Sequence, residues 1–463
     1  MAFIWDDATV RQALGMRTDL AQPDVEYTGV STDSRSVSTG DLYVALVGDR
    51  FDGHDFVADA FSKGAAGAVV SRPAAGDPAG RLYPVDDTLV ALGRLAAWRR
   101  QKIDAPVVAI TGSSGKTTTK EMTAAALGET YRVHATSGNL NNRIGMPLTL
   151  LATPDRVEAV VLELGTNEPG EIRALVQIAR PDVAVITTVG ESHLEKLGSL
   201  EGVLTEKLDI LRGMVDGGQC IVGDEPPVLA ERAHAICSQV KVVGWSARAD
   251  ANARPENAEV DVFGRYSFDW RGQRVTAPMV GRHAVSNALL ALTVADVLDA
   301  PARDAIRGLG SARMGSMRGE FQRIGELTLI VDCYNANPQS VRASLDVLED
   351  QAVTGRKVAV LGSMLELGDA TPGLHAEVLA DTVARDIDLI VATGAFADAA
   401  TRAGLRDERV VTGENWQAAY PLLVERLEGG EIILLKASRG IALERILPRL
   451  EADFGTAVEP VEA

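Results

Sequence analysis

Short, unbroken apolar runs, each followed by a glycine-containing turn and a stretch of helical spacing, dominate this chain from Val107 onward. Val107-Val-Ala-Ile, Ala159-Val-Val-Leu-Glu-Leu and Val183-Ala-Val-Ile-Thr-Thr form the first set. After Gly315 the rhythm restarts with Leu327-Thr-Leu-Ile-Val-Asp, Lys357-Val-Ala-Val-Leu-Gly, Asp388-Leu-Ile-Val-Ala-Thr-Gly and Glu431-Ile-Ile-Leu-Leu-Lys-Ala. A strand that is apolar throughout needs cover on both faces, and neighbours running the same way need a crossover helix between them. The pattern therefore predicts an α/β protein with mostly parallel sheets. It predicts two such units: residues 105–314, ending in an Ala/Leu-rich helix from Gly281 to Ala300, and 315–463, a smaller doubly wound domain of four strand-and-turn units.

At 463 residues the chain has room for about three domains at roughly 150 residues each. The first, residues 1–104, opens with a helical run and continues through Val30-Ser-Thr-Asp-Ser-Arg-Ser-Val. It predicts strands at Asp41-Leu-Tyr-Val-Ala-Leu and Ala68-Val-Val-Ser, and helices over Phe56–Gly64 and Thr88–Gln101. Between them, Pro73-Ala-Ala-Gly-Asp-Pro-Ala-Gly80 reads as a loop, and Asp104-Ala-Pro as a linker. No internal repeat of 20–50 residues is evident.

Acidic residues outnumber basic ones 64 to 46, for a net charge of −18. Such a surface repels a phosphate backbone, so no nucleic-acid partner is expected, and any phosphate-bearing ligand must be drawn in locally. The three cysteines, Cys220, Cys237 and Cys333, form no C-x-x-C pair and read as inert core thiols of a reducing compartment. The first residues turn acidic before an apolar signal region could form, and no run of 18 apolar residues exists to span a bilayer. A cytoplasmic, monomeric protein is expected.

The sharpest chemical signal is Ala109-Ile-Thr-Gly112-Ser113-Ser114-Gly115-Lys116-Thr117-Thr118-Thr119, immediately after a buried strand and opening a helix. Small residues let backbone N–H groups close around phosphate oxygens. Lys116 supplies a charge for the β- and γ-phosphates, and the Thr117 hydroxyl can ligate Mg²⁺. The run departs from the strict G-x-x-x-x-G-K-[ST] pattern, with Ile110 at the first glycine position. Glu163 ends the next apolar strand. Alone it would as readily cap a helix; one βαβ unit after the cradle, it reads as a metal-directed carboxylate. His193 follows Val183-Ala-Val-Ile-Thr-Thr on the rim where open α/β sheets bind ligands, and a neutral imidazole can serve Mg²⁺ there. Lys207, by composition, is a lysine on a helix surface.

These residues together resemble the ATP-dependent Mur ligases of peptidoglycan synthesis. The resemblance rests on Thr111-Gly-Ser-Ser-Gly-Lys-Thr-Thr, Glu163-Leu-Gly-Thr-Asn-Glu-Pro-Gly, His193 with Lys207, and Gly281-Arg-His-Ala-Val-Ser-Asn-Ala. It extends from Ser31-Thr-Asp-Ser-Arg35 to Lys436-Ala-Ser-Arg439. Ser137-Gly-Asn-Leu-Asn-Asn-Arg-Ile-Gly-Met-Pro-Leu-Thr-Leu, Asp332-Cys-Tyr-Asn-Ala-Asn-Pro and Gly362-Ser-Met-Leu-Glu-Leu-Gly-Asp look like the member that adds D-alanyl-D-alanine to UDP-N-acetylmuramoyl-tripeptide. The fold implied is an N-terminal α/β UDP-binding domain, a central P-loop ATPase domain and a C-terminal Rossmann-like domain.

The resemblance also implies roles. Gly112 to Thr118 would hold the triphosphate of ATP. Thr117 and Glu163 would hold one Mg²⁺, and His193 a second together with Lys207, carbamylated by CO₂. Asn287 matches the adenine contact, and Arg318 and Asp332 the phosphate and ribose contacts. Ser34 and Arg35 fall in the uridine-diphosphate stretch. Asn139, Asn142, Thr166 and Asn335 would face the sugar-peptide, and Ser438 and Arg439 the carboxylate of the dipeptide. The tripeptide-forming Mur ligase and folylpolyglutamate synthase share the cradle and the histidine, and a P-loop switch that makes no bond is the rival of another class. Asn-Leu-Asn-Asn-Arg-Ile-Gly and the Asp332 stretch argue against the first two. His54, His134 and His234 show no recognisable partner, His283 packs one turn from Asn287, and His375 has no assigned role.

Overall fold

The computed structural model describes residues 3–22, 24–73, 81–352 and 355–455, and the backbone of 457–458. Of the expected Pro73–Gly80 loop, only Pro73 lies within the described residues.

Three α/β units follow one another along the chain. In the first, strands Gly29–Ser31, Asp41–Val44, Gly67–Val70 and Leu82–Pro84 pair in that order, all parallel. Trp5–Asp6 and Glu26–Tyr27 form a small antiparallel pair beside it. The helix Thr88–Gln101, capped by the Asp87 carboxylate on two backbone N–H groups, has the predicted bounds and leads into the central unit. Buried Arg99 fastens it there, donating to the Thr153 carbonyl at 2.7 Å and to Asp155 at 3.0 Å.

The central sheet runs Val240–Val243, Gln219–Gly223, Val183–Ile186, Val107–Thr111, Ala159–Glu163, Val133–Ala135, every neighbour parallel. Val107–Thr111 lies between strands reached by crossovers in opposite directions. The crevice past its C-terminal end is thus a topological switch point, where open sheets bind ligands. Its residues are fully enclosed on both faces, as their unbroken apolar character requires.

Two features of this unit differ from expectation. The helix Arg282–Val297 does not end it: Ala302–Gly310 follows and packs on Lys116–Gly128. A Cβ on Gly308 would lie 2.2 Å from the Ala125 carbonyl oxygen, so the two helices meet through glycine. An antiparallel ribbon, Glu256–Val260, Arg265–Trp270 and Gln273–Val280, precedes that helix. Its first strand is exposed throughout, so it carries no continuous apolar run to betray it.

Among the described residues the third unit has seven strands rather than four: Val410–Gly413, Leu389–Thr393, Lys357–Leu361, Ile432–Lys436, Leu327–Asp332, Glu320–Ile324 and Ala457–Val458. The first five are parallel, and the last two add antiparallel strands at one edge. No helix among the described residues is long and apolar enough to cross a membrane.

Three histidines have partners that the sequence did not reveal. His54 sits between Asp52, 2.6 Å from Nδ1, and the Ser71 N–H, 2.8 Å from Nε2. His134 Nε2 lies 2.9 Å from the Thr149 carbonyl. Buried His375 accepts the Met364 N–H at 2.9 Å, with Nδ1 2.7 Å from the Thr371 carbonyl, and so braces the turn after Gly362. All three cysteines are free, and burial raises the thiols, Cys333 to about 12.

Candidate active site

The cradle is built at the end of Val107–Thr111. The Thr111 hydroxyl donates to the Leu164 carbonyl (2.8 Å), Ser113 N to the Thr188 carbonyl (2.8 Å) and the Thr187 hydroxyl to the Ser114 carbonyl (2.5 Å). The turn is thus pinned to both neighbouring strands before the helix Lys116–Gly128 begins. That helix has no side-chain cap: Gly115, at φ +80°, occupies the N-cap position, which leaves the first-turn N–H groups open to an anion. Lys116 Nζ meanwhile donates to the Gly112 carbonyl at 2.8 Å. Burial pushes the Lys116 ammonium below its ordinary range, and the Glu163 charge opposes that fall.

A side chain at Gly115 would face two obstacles. The positive φ is strained for any L residue, and a Cβ would lie 2.6 Å from Asn287 Oδ1. Gly115→Ala is expected to weaken binding of a non-hydrolysable ATP analogue by tenfold or more, given about 1–3 kcal/mol for such strain. Calorimetry giving an unchanged Kd would show that the turn tolerates the methyl.

Around the cradle lies a cleft of about 1170 Å³. Of the residues singled out from the sequence, it is lined by Ser113 to Thr118, Asn139, Asn142, Glu163, Thr166, His193, Asn287, Arg318, Asp332, Asn335 and Arg439. Glu163 is buried; its Oε1 accepts from Asn141 Nδ2 at 2.7 Å, while Oε2 has no hydrogen-bond partner. Among the described residues the Thr117 hydroxyl likewise has none. A buried carboxylate oxygen left unpaired is costly, and a cation is one kind of partner that can satisfy it.

His193 stands at φ +52°, heading the short helix Leu194–Leu197, with Nδ1 2.6 Å from Glu366 Oε2, a close contact without hydrogen-bond alignment. Glu366, at φ +64°, comes from the third unit, and the nearby imidazole holds its carboxyl below the usual range. Lys207 does not line the cleft. It is buried on the helix Leu200–Arg212, and among the described residues its ammonium has no hydrogen bond or ion pair. Desolvation lowers it well below a normal lysine, and the charge of Lys116 acts in the same direction. The sequence reading of a surface lysine is therefore corrected: the residue faces inward. Its neighbour Glu206 organises the turn after Glu163, accepting from Gly170 N (2.7 Å), Ile172 N (2.8 Å) and Thr166 Oγ1 (3.3 Å).

Other candidates take different positions. Asn287 Oδ1 accepts from the Thr119 hydroxyl at 3.2 Å, bracing the cradle. Asn142 Oδ1 accepts from Ile144 N at 3.1 Å and Gly145 N at 2.9 Å, at the start of the helix Gly145–Leu151. Asp332 accepts from Lys436 Nζ and Ser344 Oγ, both at 2.6 Å, and Arg318 stacks 3.7 Å over the Tyr334 ring. Arg439 donates to Glu444 at 3.1 Å. Ser438 is outside the cleft lining: its hydroxyl accepts from Leu365 N (2.9 Å) and donates to the Ala336 carbonyl (3.3 Å), holding two loops together. Ser34 and Arg35 are also outside it, in the first unit, where Arg35 pairs with Asp33 at 2.7 Å and holds that carboxyl at about 2. Asn141 and Glu366 were missed; each sits inside a segment that the sequence had marked, Asn141 beside Asn142 and Glu366 within the Gly362–Asp369 stretch.

Fold and cleft define a P-loop nucleotide-binding protein whose site is completed by a second α/β domain. Family models agree: residues 26–100 match the Mur ligase family catalytic domain, 110–295 the Mur ligase middle domain, and 317–439 the Mur ligase glutamate ligase domain. The chain belongs to the Mur ligase family. Within that family, UDP-N-acetylmuramoyl-tripeptide–D-alanyl-D-alanine ligase of Bacillus subtilis is 38% identical, over 93% of this chain and 95% of the relative. A crystal structure of MurF from Acinetobacter baumannii superposes with a TM-score of 0.88 at 33% identity, covering 98% of this chain and 99% of that one. MurF ligase from Thermotoga maritima in complex with ADP gives 0.81 at 27% identity, covering 92% and 97%.

Proposed function

We propose that this chain joins D-alanyl-D-alanine to UDP-N-acetylmuramoyl-tripeptide, converting ATP to ADP and phosphate and yielding the muramoyl-pentapeptide precursor of peptidoglycan. It is an ATP-dependent ligase. The observation that carries this reading is the shared cleft, where a phosphate cradle and a half-satisfied buried carboxylate open into about 1170 Å³ completed by the third domain. ATP and a nucleotide sugar are cytoplasmic solutes, which supports a cytoplasmic site of action.

A carboxylate is a poor electrophile, and hydroxide a poor leaving group, so the tripeptide carboxyl must be activated. Its oxygen attacks the γ-phosphorus of ATP, forming a C–O–P bond as ADP departs. The dipeptide amine then attacks the carbonyl carbon, and the tetrahedral adduct expels phosphate as the amine sheds its proton. The first step brings an anion to a polyanion, so stabilisation of charge by fixed dipoles and cations dominates. Lys116 and the first-turn N–H groups of its helix supply such charge at the cradle. Arg318 and Arg439 extend it along the third domain's wall.

The donor set fits Mg²⁺. Thr117 and Glu163 would hold one ion and His193 a second, each contributing hard or borderline donors. Among the described residues no three His, Cys, Asp or Glu side chains converge, which leaves further ligands to phosphate oxygens and water. Bound there, the ions would neutralise the triphosphate. An unpaired, desolvated amine at Lys207 is suited to add CO₂ and release one proton, leaving an anionic carbamate where an ammonium would repel a metal ion.

Phosphate release measured with UDP-muramoyl-tripeptide, with and without D-alanyl-D-alanine, tests the reading. Release should require both, and running lysine- and diaminopimelate-containing tripeptides side by side reports the preferred third residue. Slow ATP hydrolysis indifferent to the dipeptide would instead mark a switch or sensor.

A further inference from the structure

The motif Asp332-Cys-Tyr-Asn-Ala-Asn337-Pro contains two asparagines of opposite fate. Asn335 is exposed, and its Oδ1 turns back onto Ala336 N at 2.9 Å. Asn337 is 5% exposed and reaches across the domain boundary. Its Nδ2 lies 3.4 Å from the Ser113 carbonyl and 3.1 Å from Ser114 Oγ, which is also 3.3 Å from Asn337 Oδ1. The same side chain caps the helix Pro338–Glu349. Oδ1 accepts from Ser340 N at 2.8 Å, and the Ser340 hydroxyl sits 3.0 Å from Asn337 N, completing a capping box. Two positions on, Gln339 Nε2 donates to Thr188 Oγ1 at 2.9 Å.

We infer that Asn337 is a positioning residue that makes the third domain's placement and the shape of the phosphate cradle a single event, an inference that rests on the ATP-dependent reading above. A peptide unit is planar, so a donor on the Ser113 carbonyl fixes the plane shared with the Ser114 N–H, one of the groups that must face phosphate. At the other end the cap fixes the start of a helix six residues beyond Asp332, whose strand carries the third domain's wall of the cleft. One amide therefore uses its donor on the cradle and its acceptor on the helix. No other uncharged side chain of that length offers both.

The capping role and the cradle role separate by substitution. Serine caps a helix as well as asparagine does but has no amide donor, aspartate keeps length and cap but removes the donor, and alanine removes both functions. For Asn337→Ser in the full-length chain the thermal midpoint should stay within about 2 °C of the parent, while kcat/KM for ATP falls roughly tenfold and KM for the UDP-tripeptide is unchanged. Hydrogen exchange supplies a readout independent of turnover. With β,γ-methylene ATP alone, amides 112–118 and 337–342 should gain protection together in the parent, whereas in Asn337→Ser and Asn337→Asp only the cradle amides respond. Parent-like kcat/KM and joint protection in both variants would overturn the inference, as would a loss seen only in Asn337→Ala. If the parent shows joint protection but no dipeptide-dependent phosphate release, the functional reading fails while the coupling stands.

Discussion

Lys116→Ala should reduce ADP release in the presence of UDP-muramoyl-tripeptide by about 10³-fold or more, with sugar-nucleotide affinity altered less than about threefold. The magnitude follows from where the charge sits. Removing one preorganised electrostatic group from a water-poor site typically costs 10²–10³ in rate, and transferring phosphoryl charge makes heavier use of cations than acyl transfer does. Lys116 is desolvated on the cradle, and its only hydrogen bond among the described residues is to its own loop at Gly112, so its loss disturbs little else. Ser34 and Arg35, in the stretch that would take the uridine diphosphate, lie in the first unit and do not line the cleft. Equilibrium dialysis of the sugar nucleotide beside an ADP-release assay separates the two effects. Near-normal ADP release by the variant would remove Lys116 from the phosphoryl-transfer step.

Lys207→Ala should lose activity by about 10²-fold or more without losing stability, and millimolar formate or acetate should restore part of the rate. The stability half of this expectation is a sign argument. A buried ammonium without a partner costs folding free energy, so its removal offsets the loss of packing by the lysine stem. The activity half follows from the proposed carbamate. A small acid entering the space vacated by the side chain returns an anionic oxygen donor to the place the amine alone could not supply. Burial and the Lys116 charge both lower the Lys207 ammonium, so at neutral pH the fraction of free amine, the form that adds CO₂, is raised above that of an ordinary lysine. The parent enzyme in CO₂-free buffer should lose activity and regain it with bicarbonate. Absence of both rescues would mean that the buried amine acts unmodified.

Why the strands, cradle and helices were legible in the sequence, and much of the site was not, follows from range. Val107–Thr111, Lys357–Leu361 and Thr88–Gln101 are announced by residues inside the element, because burial on both faces or a capping carboxylate is a local requirement. The exposed strand Glu256–Val260 has no such requirement and left no trace. Lys207 shows the limit most plainly. A lysine on a helix reads as solvated by its residue type, yet the packing of Leu200–Arg212 turns this one into the interior.

Residues close together in the chain therefore sufficed to specify the class of architecture, the phosphate cradle and the kind of chemistry that small residues, a lysine and a carboxylate can perform together. Only the tertiary structure decided which oxygens remain unpaired, which hydroxyls are spent on holding loops, and that Asn337 meets Ser114 from 223 residues away. The physical reason is that periodicity and capping are settled within a few residues. The satisfaction of a buried polar atom depends instead on whichever segment the fold brings within about 3 Å of it.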